Sequence, residues 1–273
     1  MSELAIISAE DERELAKSLG LVSETSDRIP VLKLNYSEED DFERPLKKGT
    51  FLLTDQEEAV YTDKVKFKPI AQYYQWLDFD AEESKLVNKT LMIPNFNKEA
   101  RDQKGSLRCG KPSSKYLAEH PEEKPLYASI TCFRMVYGIV EYTGKTAEGK
   151  EVTVGPIGCC IRLKGANFMP FGKQVVDKLP ANKNIYNYEC EITSTKKKEG
   201  SVIYFVMDFD VDFMSPMGLD QPTVDAMKVV LEYVKGENEG VNRSYEEAMR
   251  QNAESDSIAG DISSALAGDL VSG

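Results

Sequence analysis

Apolar and polar residues alternate along several stretches of the chain, which is the pattern of β-strands. The first long stretch is residues 64–79, KVKFKPIAQYYQWLDF, where three lysines alternate with Val65 and Phe67. Further strands are predicted at 128–142, 151–163, 185–194 and 201–213, with a leading hairpin at 50–61. Because successive side chains of a strand point to opposite faces, this periodicity predicts a protein built around a sheet.

Helical periodicity occurs at fewer places. After Gly165, Phe171, Val175 and Leu179 recur at every fourth position, and Pro180 supplies a stop. Residues 222–235 form a second amphipathic window, which begins with Pro222 and is followed by Gly236. A short helix is also predicted near the N-terminus, where Ser8 and Asp11 have the spacing of a capping box and Gly20 follows.

The predicted order is three strands, a helix and two strands. This order is that of the OB-fold, a five-stranded, partly open barrel that binds oligonucleotides across its second and third strands and with two of its loops. In this chain those loops are the long polar segment 80–127 and the lysine tip at 196–198. The predicted fold is therefore mainly β with minor α, with a long insertion between strands one and two.

Charge divides the chain into three parts. Residues 1–45 hold 12 acids and 5 bases, residues 46–235 hold 26 acids and 27 bases, and residues 236–273 hold 8 acids and 2 bases. We therefore predict an acidic N-terminal extension with a short helix, an OB-fold domain at 46–235 that includes the second helix, and a flexible acidic tail. Two interpretations of the acidic ends stay open: they keep the protein soluble, or the tail competes with a polyanion for the basic surface of the domain.

Composition narrows the chemistry. No apolar run approaches roughly 18 residues, and the acidic N-terminus lacks the basic region of a secretion signal, so a cytoplasmic protein without a membrane segment is expected. Five cysteines without a CxxC pair are typical of reduced thiols. With His120 as the only histidine, we expect no metal, no cofactor and no catalytic residues.

One catalytic alternative remains. Asp208, Asp210 and Asp212 alternate in DFDVDF and would project from one face of a strand, as the carboxylates that hold two Mg²⁺ ions in nucleases and polymerases do. The other interpretation is the solvated face of an edge strand whose buried face carries Phe209 and Val211. A Mg²⁺-dependent nuclease or polymerase-related enzyme is thus the second hypothesis.

Several quoted segments together resemble a known family. The succession KPIAQYYQWLDFD, LRCGKP, ITCFRMVYGIV, GPIGCCIRLKGANF and NIYNYECEITSTKKKEGSVIYFVMDFD, followed by an acidic C-terminus, resembles the single-stranded DNA-binding proteins of tailed bacteriophages over roughly residues 46–213. The resemblance implies an OB-fold protein in the bacterial host cytoplasm that coats single-stranded DNA during replication and recombination, and whose tail contacts replication proteins. The chain departs from that family by ending in GDLVSG, without a terminal aromatic residue.

Single-stranded nucleic acid is bound by aromatic rings that stack on bases and by cations that contact phosphates. On that basis Tyr73, Tyr74 and Trp76 are candidate stacking residues, or else core residues of the strand. Phe168 and Phe171 are assigned to the core at the end of the barrel. The other candidate nucleic-acid-binding residues are Lys64, Lys66, Lys68, Arg108, Lys111, Lys115, Tyr116, Arg134, Tyr137, Arg162, Lys164, Lys196, Lys197 and Lys198.

Overall fold

The computed structural model describes residues 29–40, 43–80, 82–83, 85–110 and 112–269, with the backbone alone for 254–269. The predicted N-terminal helix and the candidate Lys111 lie outside these residues. The described chain is mainly β, with a sheet curled into a half-barrel and a C-terminal helix. No helix in the described ranges is long and apolar enough to cross a membrane.

The described residues contain one sheet and four α-helices. The strands are β1 (Val31–Leu34), β2 (Phe51–Leu53), β3 (Val60–Tyr61), β4 (Lys64–Asp80), β5 (Lys85–Lys89), β6 (Ile130–Thr146), β7 (Glu151–Leu163), β8 (Cys190–Glu199) and β9 (Val202–Val211). The helices are α1 (Ser114–Glu119), α2 (Lys124–Ala128), α3 (Phe168–Gln174) and α4 (Gln221–Asp269).

The sheet has the order β2-β1-β7-β6-β4-β8-β9, and β3 and β5 pair with β6 and β4 respectively. β1 is parallel to β7, and the other pairs are antiparallel. The two longest strands change register, β4 between Pro69 and Ala71 and β6 between Val140 and Tyr142. Such irregularities increase the local twist of a strand, which accounts for the curling of the sheet.

Two predicted elements differ from the structure. The hairpin at 50–61 is reduced to a single bridge between Phe51 and Thr62, because β2 pairs with β1 and β3 pairs with β6. The predicted boundary between residues 45 and 46 separates β1 from β2, although these two strands pair with each other. The N-terminal extension therefore contributes a strand to the sheet.

The concave side of the half-barrel holds the main core. Phe67, Val136, Ile161 and Ile192 are fully buried there, each from a different strand. α3 closes one end of this core with Phe171, so the predicted core role of Phe171 is confirmed. Burial of such side chains is the main stabilising contribution to a domain of this kind.

Side-chain amides cover the outer edge of β9. Asn167 Oδ1 accepts a hydrogen bond from the Met207 N–H (2.6 Å), and its Nδ2 donates to the Phe205 carbonyl (3.1 Å). Gln174 Oε1 accepts from the Phe209 N–H (2.8 Å). These bonds satisfy backbone groups that a further strand would otherwise pair, so α3 and its flanks take the place of a strand at this edge.

The C-terminal helix is longer than predicted. The prediction that it stops at Gly236 and continues as a flexible tail is wrong for residues 236–253, which extend α4. Asn238 accepts a hydrogen bond from the Met92 N–H (2.8 Å) and donates to the Met92 carbonyl (3.1 Å), and Val241 is fully buried. Tertiary contacts thus outweigh the low helix propensity of Gly236 and Gly240.

We expect the double substitution Gly236→Ala and Gly240→Ala to raise the free energy of unfolding by about 1 to 2 kcal/mol, since glycine costs about 0.8–1 kcal/mol per interior helix position. A Cβ atom at either position would meet open space. Urea denaturation measures the change. Gly138→Ala is the opposite control, because its Cβ would collide with the Phe67 ring and the Lys68 carbonyl. A destabilised double variant would contradict a continuous helix through residues 236–240.

Candidate nucleic-acid interface

Four aromatic rings meet at the end of β4. Tyr74 and Trp76 alternate along the strand and share a face, and Phe168 enters from the start of α3. Phe96, from the loop after β5, stacks on Trp76 with ring centroids 5.7 Å apart and an interplanar angle of 21°. Trp76 is 3% exposed, whereas Phe96 is 42% exposed. Phe96 is therefore the most exposed of the four rings.

Three of these rings, those of Trp76, Phe96 and Phe168, line a groove of about 460 Å³, called here the aromatic groove. Arg108 is the charged residue among the described residues that line it. The lining residues are Trp76, Phe96, Arg108, Gly110, Tyr127, Ile130, Thr131, Cys132, Gly165, Phe168 and Met169. An apolar, ring-lined groove with a cation suits a flat aromatic ligand that carries negative charge.

A buried carboxylate positions the segment that carries Arg108. Asp102 accepts hydrogen bonds from Asn88 Nδ2 (3.0 Å) and from the backbone N–H groups of Lys104 (2.7 Å) and Leu107 (2.8 Å). Burial raises the pKa of Asp102, but these hydrogen bonds lower it more, so the pKa lies below its usual value. The ionised side chain therefore holds the turn immediately before Arg108.

A second groove, of about 890 Å³, adjoins the other side of the β6 end and is called here the strand-end groove. Both grooves include Thr131. Lys164 places its Nζ 5.4 Å from the Phe133 ring centroid, and Arg162 lies alongside. Phe79, about half exposed, also lines this groove, as do the acids Asp78, Asp80 and Glu82. Its charge is therefore mixed, unlike that of the aromatic groove.

The C-terminal helix covers the middle of the outer sheet face. Val230 and Val234 of α4 pack against Met135 and Tyr137 of β6. Tyr137 is 1% exposed and lies between Tyr73 and Tyr233, with ring centroids 6.1 Å away on each side. Tyr137 was predicted to bind nucleic acid, but in this arrangement helix α4 covers it and a DNA strand cannot reach it. Tyr73 is half-buried in the same cluster.

The three alternating lysines of β4 do not form a free basic row. Lys68 is buried and donates to Thr223 Oγ1 (2.6 Å) and Asp220 Oδ2 (3.1 Å), so its prediction as a phosphate contact is wrong. Hydrogen bonds from the side chain and the backbone N–H of Thr223, and then that from Lys68, lower the pKa of Asp220 to about 2.

The other two lysines of this strand are exposed but face acids. Lys64 pairs with Glu191 at 2.9 Å. Lys66 stands in register between Glu141 and Glu191. The positive charge expected on this part of the strand is therefore largely neutralised across the sheet.

The lysines 196–198 are exposed and belong to β8 rather than to a turn. The β8 residue nearest these lysines that pairs with β4 is Thr193, opposite Lys64, whereas Trp76 lies twelve residues beyond Lys64 along β4. At about 3.3 Å per residue the separation along the strand reaches about 40 Å. The structure thus does not bring these lysines to the aromatic groove.

Two candidate nucleic-acid-binding residues lie on α1, and three aspartates belong to the hypothesis of a Mg²⁺-dependent enzyme. Lys115 and Tyr116 are exposed, and the Tyr116 hydroxyl donates to Glu123 Oε1 (3.1 Å). Asp208 accepts from Thr195 Oγ1 (2.5 Å), and Asp212 accepts from Ser215 (2.7 Å). Within the described ranges, no group of three or more His, Cys, Asp or Glu side chains is placed to hold a metal ion.

Sequence reasoning missed part of the aromatic groove. Phe96 and Tyr127 were not among the candidates, and Phe168, assigned to the core, lines the groove. One sequence feature pointed to Phe96: it is a large apolar residue in the polar stretch PNFNKE, which contains no other large apolar side chain to pack against it.

Comparison of the chain with protein-family models, with curated proteins and with solved structures finds no match. A function therefore has to follow from these residues.

Proposed function

We propose that this protein binds single-stranded DNA without strong base preference, and that the aromatic groove is where bases stack. Binding and protection of single strands during phage DNA replication and recombination would be its biological use. Replication proteins are the proposed partners of the acidic C-terminus.

The strand order supports an OB-fold interpretation. β4, β6, β7, α3, β8 and β9 follow one another as the five strands and the helix of that fold do, and β4 lies between β6 and β8. Two features depart from it. β9 does not pair with β7 in the described sheet, and the free edge of β7 pairs in parallel with β1.

The observation that carries the proposal is the exposed Phe96 stacked on Trp76 beside Arg108. Every base has a π-face, so a ring of this kind binds bases of any identity, and each stacking contact is worth about 1–3 kcal/mol. Arg108 supplies the phosphate contact. The strand-end groove, which begins at Thr131, adds two cations, Lys164 and Arg162, that can contact a DNA strand as it leaves the aromatic groove.

Binding of fluorescently labelled oligo(dT) tests the proposal. We expect the affinity to fall steeply as salt rises, because cations that contact phosphates release counterions. Phe96→Ala should weaken binding by about 1–3 kcal/mol while the fold survives. Leu231→Ala is the matched control, since it removes an apolar side chain of comparable exposure on α4 outside both grooves.

Two outcomes would contradict this function. A dissociation constant that does not change with salt would contradict the proposed phosphate contacts. Equal affinities of Phe96→Ala and the wild type would contradict the proposed stacking of bases on Phe96. The same incubation with Mg²⁺ and then with EDTA addresses the second hypothesis. A cleavage product that appears with Mg²⁺ alone, and is lost when Asp208 and Asp210 become Asn, would favour the enzyme.

A further inference from the structure

A positive charge is buried behind the aromatic groove. Arg134 of β6 is 7% exposed, and its guanidinium carbon lies 5.0 Å from the Phe168 ring centroid and 5.4 Å from that of Tyr74. Its Nε and Nη1 are buried without a hydrogen-bond partner among the described residues. Phe168 is also a wall of the aromatic groove. The cation therefore borders the groove across one ring.

Such an arrangement is costly for a purely structural residue. A buried charge without a counterion loses several kcal/mol of hydration, and cation–π contacts return only about 2 kcal/mol each when desolvated. Even a buried ion pair can often be replaced by well-packed apolar side chains at no loss of stability, and a lone buried charge lacks the attraction of a counterion. Packing alone therefore does not account for an arginine at this position.

The backbone of α3 leaves room for this side chain. A Cβ atom at Gly172 would lie 2.6 Å from Arg134 Nη1 and 2.9 Å from Nη2. Any larger residue at this position would displace the guanidinium. The helix thus accommodates Arg134 at a position where a side chain of its own would be excluded.

We propose that Arg134 is the charge that makes the aromatic groove selective for an aromatic anion, the nucleotide of a bound single strand, over a neutral aromatic molecule. The proposal rests on the proposed function and adds the determinant of its selectivity. A charge in a low-dielectric interior acts over longer distances and is screened less by salt than an exposed one. Arg134 therefore attracts a phosphate in the groove at ionic strengths that weaken the contribution of exposed Arg108.

Arg134→Met tests this directly, with oligo(dT) as the probe. At about 0.3 M salt we expect the variant to bind about tenfold more weakly than the wild type, with a similar ratio at about 0.05 M. The loss caused by Arg108→Met should instead shrink as salt rises. Arg101→Met is the matched control, because Arg101 also lies over a ring, that of Tyr245 at 4.3 Å, but outside both grooves.

A second assay does not depend on strand binding. Trp76, the only tryptophan, lines the groove and reports ligands by its fluorescence. We expect the wild type to prefer thymidine 5′-monophosphate to thymidine, Arg134→Lys to keep that preference, and Arg134→Met to lose it. Gly172→Ala, which must displace the guanidinium, should also reduce it. Should Arg134→Met fail to fold, Arg134→Gln and Gly172→Ala take its place.

The outcomes separate the two proposals. If oligo(dT) binds and Arg134→Met binds it equally well, the role of Arg134 is overturned and the proposed function stands. If oligo(dT) does not bind but the nucleotide preference depends on Arg134, the proposed function fails, and Arg134 stands as the determinant of selectivity for a free aromatic anion. If the wild type shows neither oligo(dT) binding nor a preference for the nucleotide, both are overturned.

Discussion

Truncation of the chain after Lys235 is expected to lower the free energy of unfolding by about 3 to 6 kcal/mol. Val241 is fully buried, and burial of a valine is worth about 1.5 kcal/mol or more. Asn238 makes two part-buried hydrogen bonds to the backbone of Met92, and each such bond contributes about 0.5–1.5 kcal/mol. The ion pair of Lys89 with Glu237 at 2.6 Å is lost as well. Chemical denaturation of the purified proteins measures the difference.

Truncation after Ala253 is the control, because it keeps the described side-chain contacts of α4. We expect its free energy of unfolding to equal that of the full chain. Equal stability of both truncations would contradict the packing of residues 236–249 on the sheet. This control also isolates charge, since residues 254–273 contain four acids and no base. The hypothesis that an acidic tail competes with DNA now concerns this part, and tighter oligo(dT) binding at low salt by the shorter chain would support it.

Asp102→Asn is expected to loosen the segment that carries Arg108 and to lower the free energy of unfolding by about 2 to 3 kcal/mol, because hydrogen bonds to a charged group are worth about 1.5–3 kcal/mol each. The amide groups of Lys104, Ser106 and Leu107 donate to this carboxylate, so their hydrogen exchange should accelerate. Exchange measured by mass spectrometry or NMR checks this. Asp177→Asn, an exposed aspartate, is the matched control.

The pH dependence has a definite sign. The pKa of Asp102 is lowered in the folded protein, so its contribution to stability is present above the unfolded pKa of about 3.9 and is lost as pH falls below that value. Protection of the Leu107 amide, corrected for intrinsic exchange, should therefore decrease on acidification in the wild type. The Asn variant should lack this dependence. Protection that is equal in both proteins at every pH would remove Asp102 as the residue that holds this turn.

Local alternation was sufficient for most of the strands. The predicted 151–163 coincides with β7, and 64–79 differs from β4 by one residue. The predicted 201–213 is β9 with its ends shortened. These boundaries follow from the period of two, which is a property of neighbouring residues. Residues 185–194 were less well predicted, because a 3₁₀ turn at Ile185–Asn187 precedes β8.

The end of α4 required tertiary information. Its start at Gln221 was foreseen to within one residue from Pro222, but Gly236 predicted a stop that the contacts of Asn238 and Val241 override. The helix propensities of residues other than proline span only about 1 kcal/mol per position. Burial of a single side chain can contribute more than that. A local sequence signal therefore sets the end of a helix where no other segment packs against it. Where another segment does pack there, the tertiary contacts override the signal.

The candidate site divides in the same way. Spacing along one strand is enough to place Tyr74 and Trp76 on the same face and to predict that lysines alternate on β4. Spacing does not reveal that Phe96 is the most exposed ring of the cluster, that Lys68 is buried against Asp220 or that α4 covers Tyr137. These outcomes depend on residues distant in sequence, and burial is set by what packs on a face rather than by the pattern that creates the face.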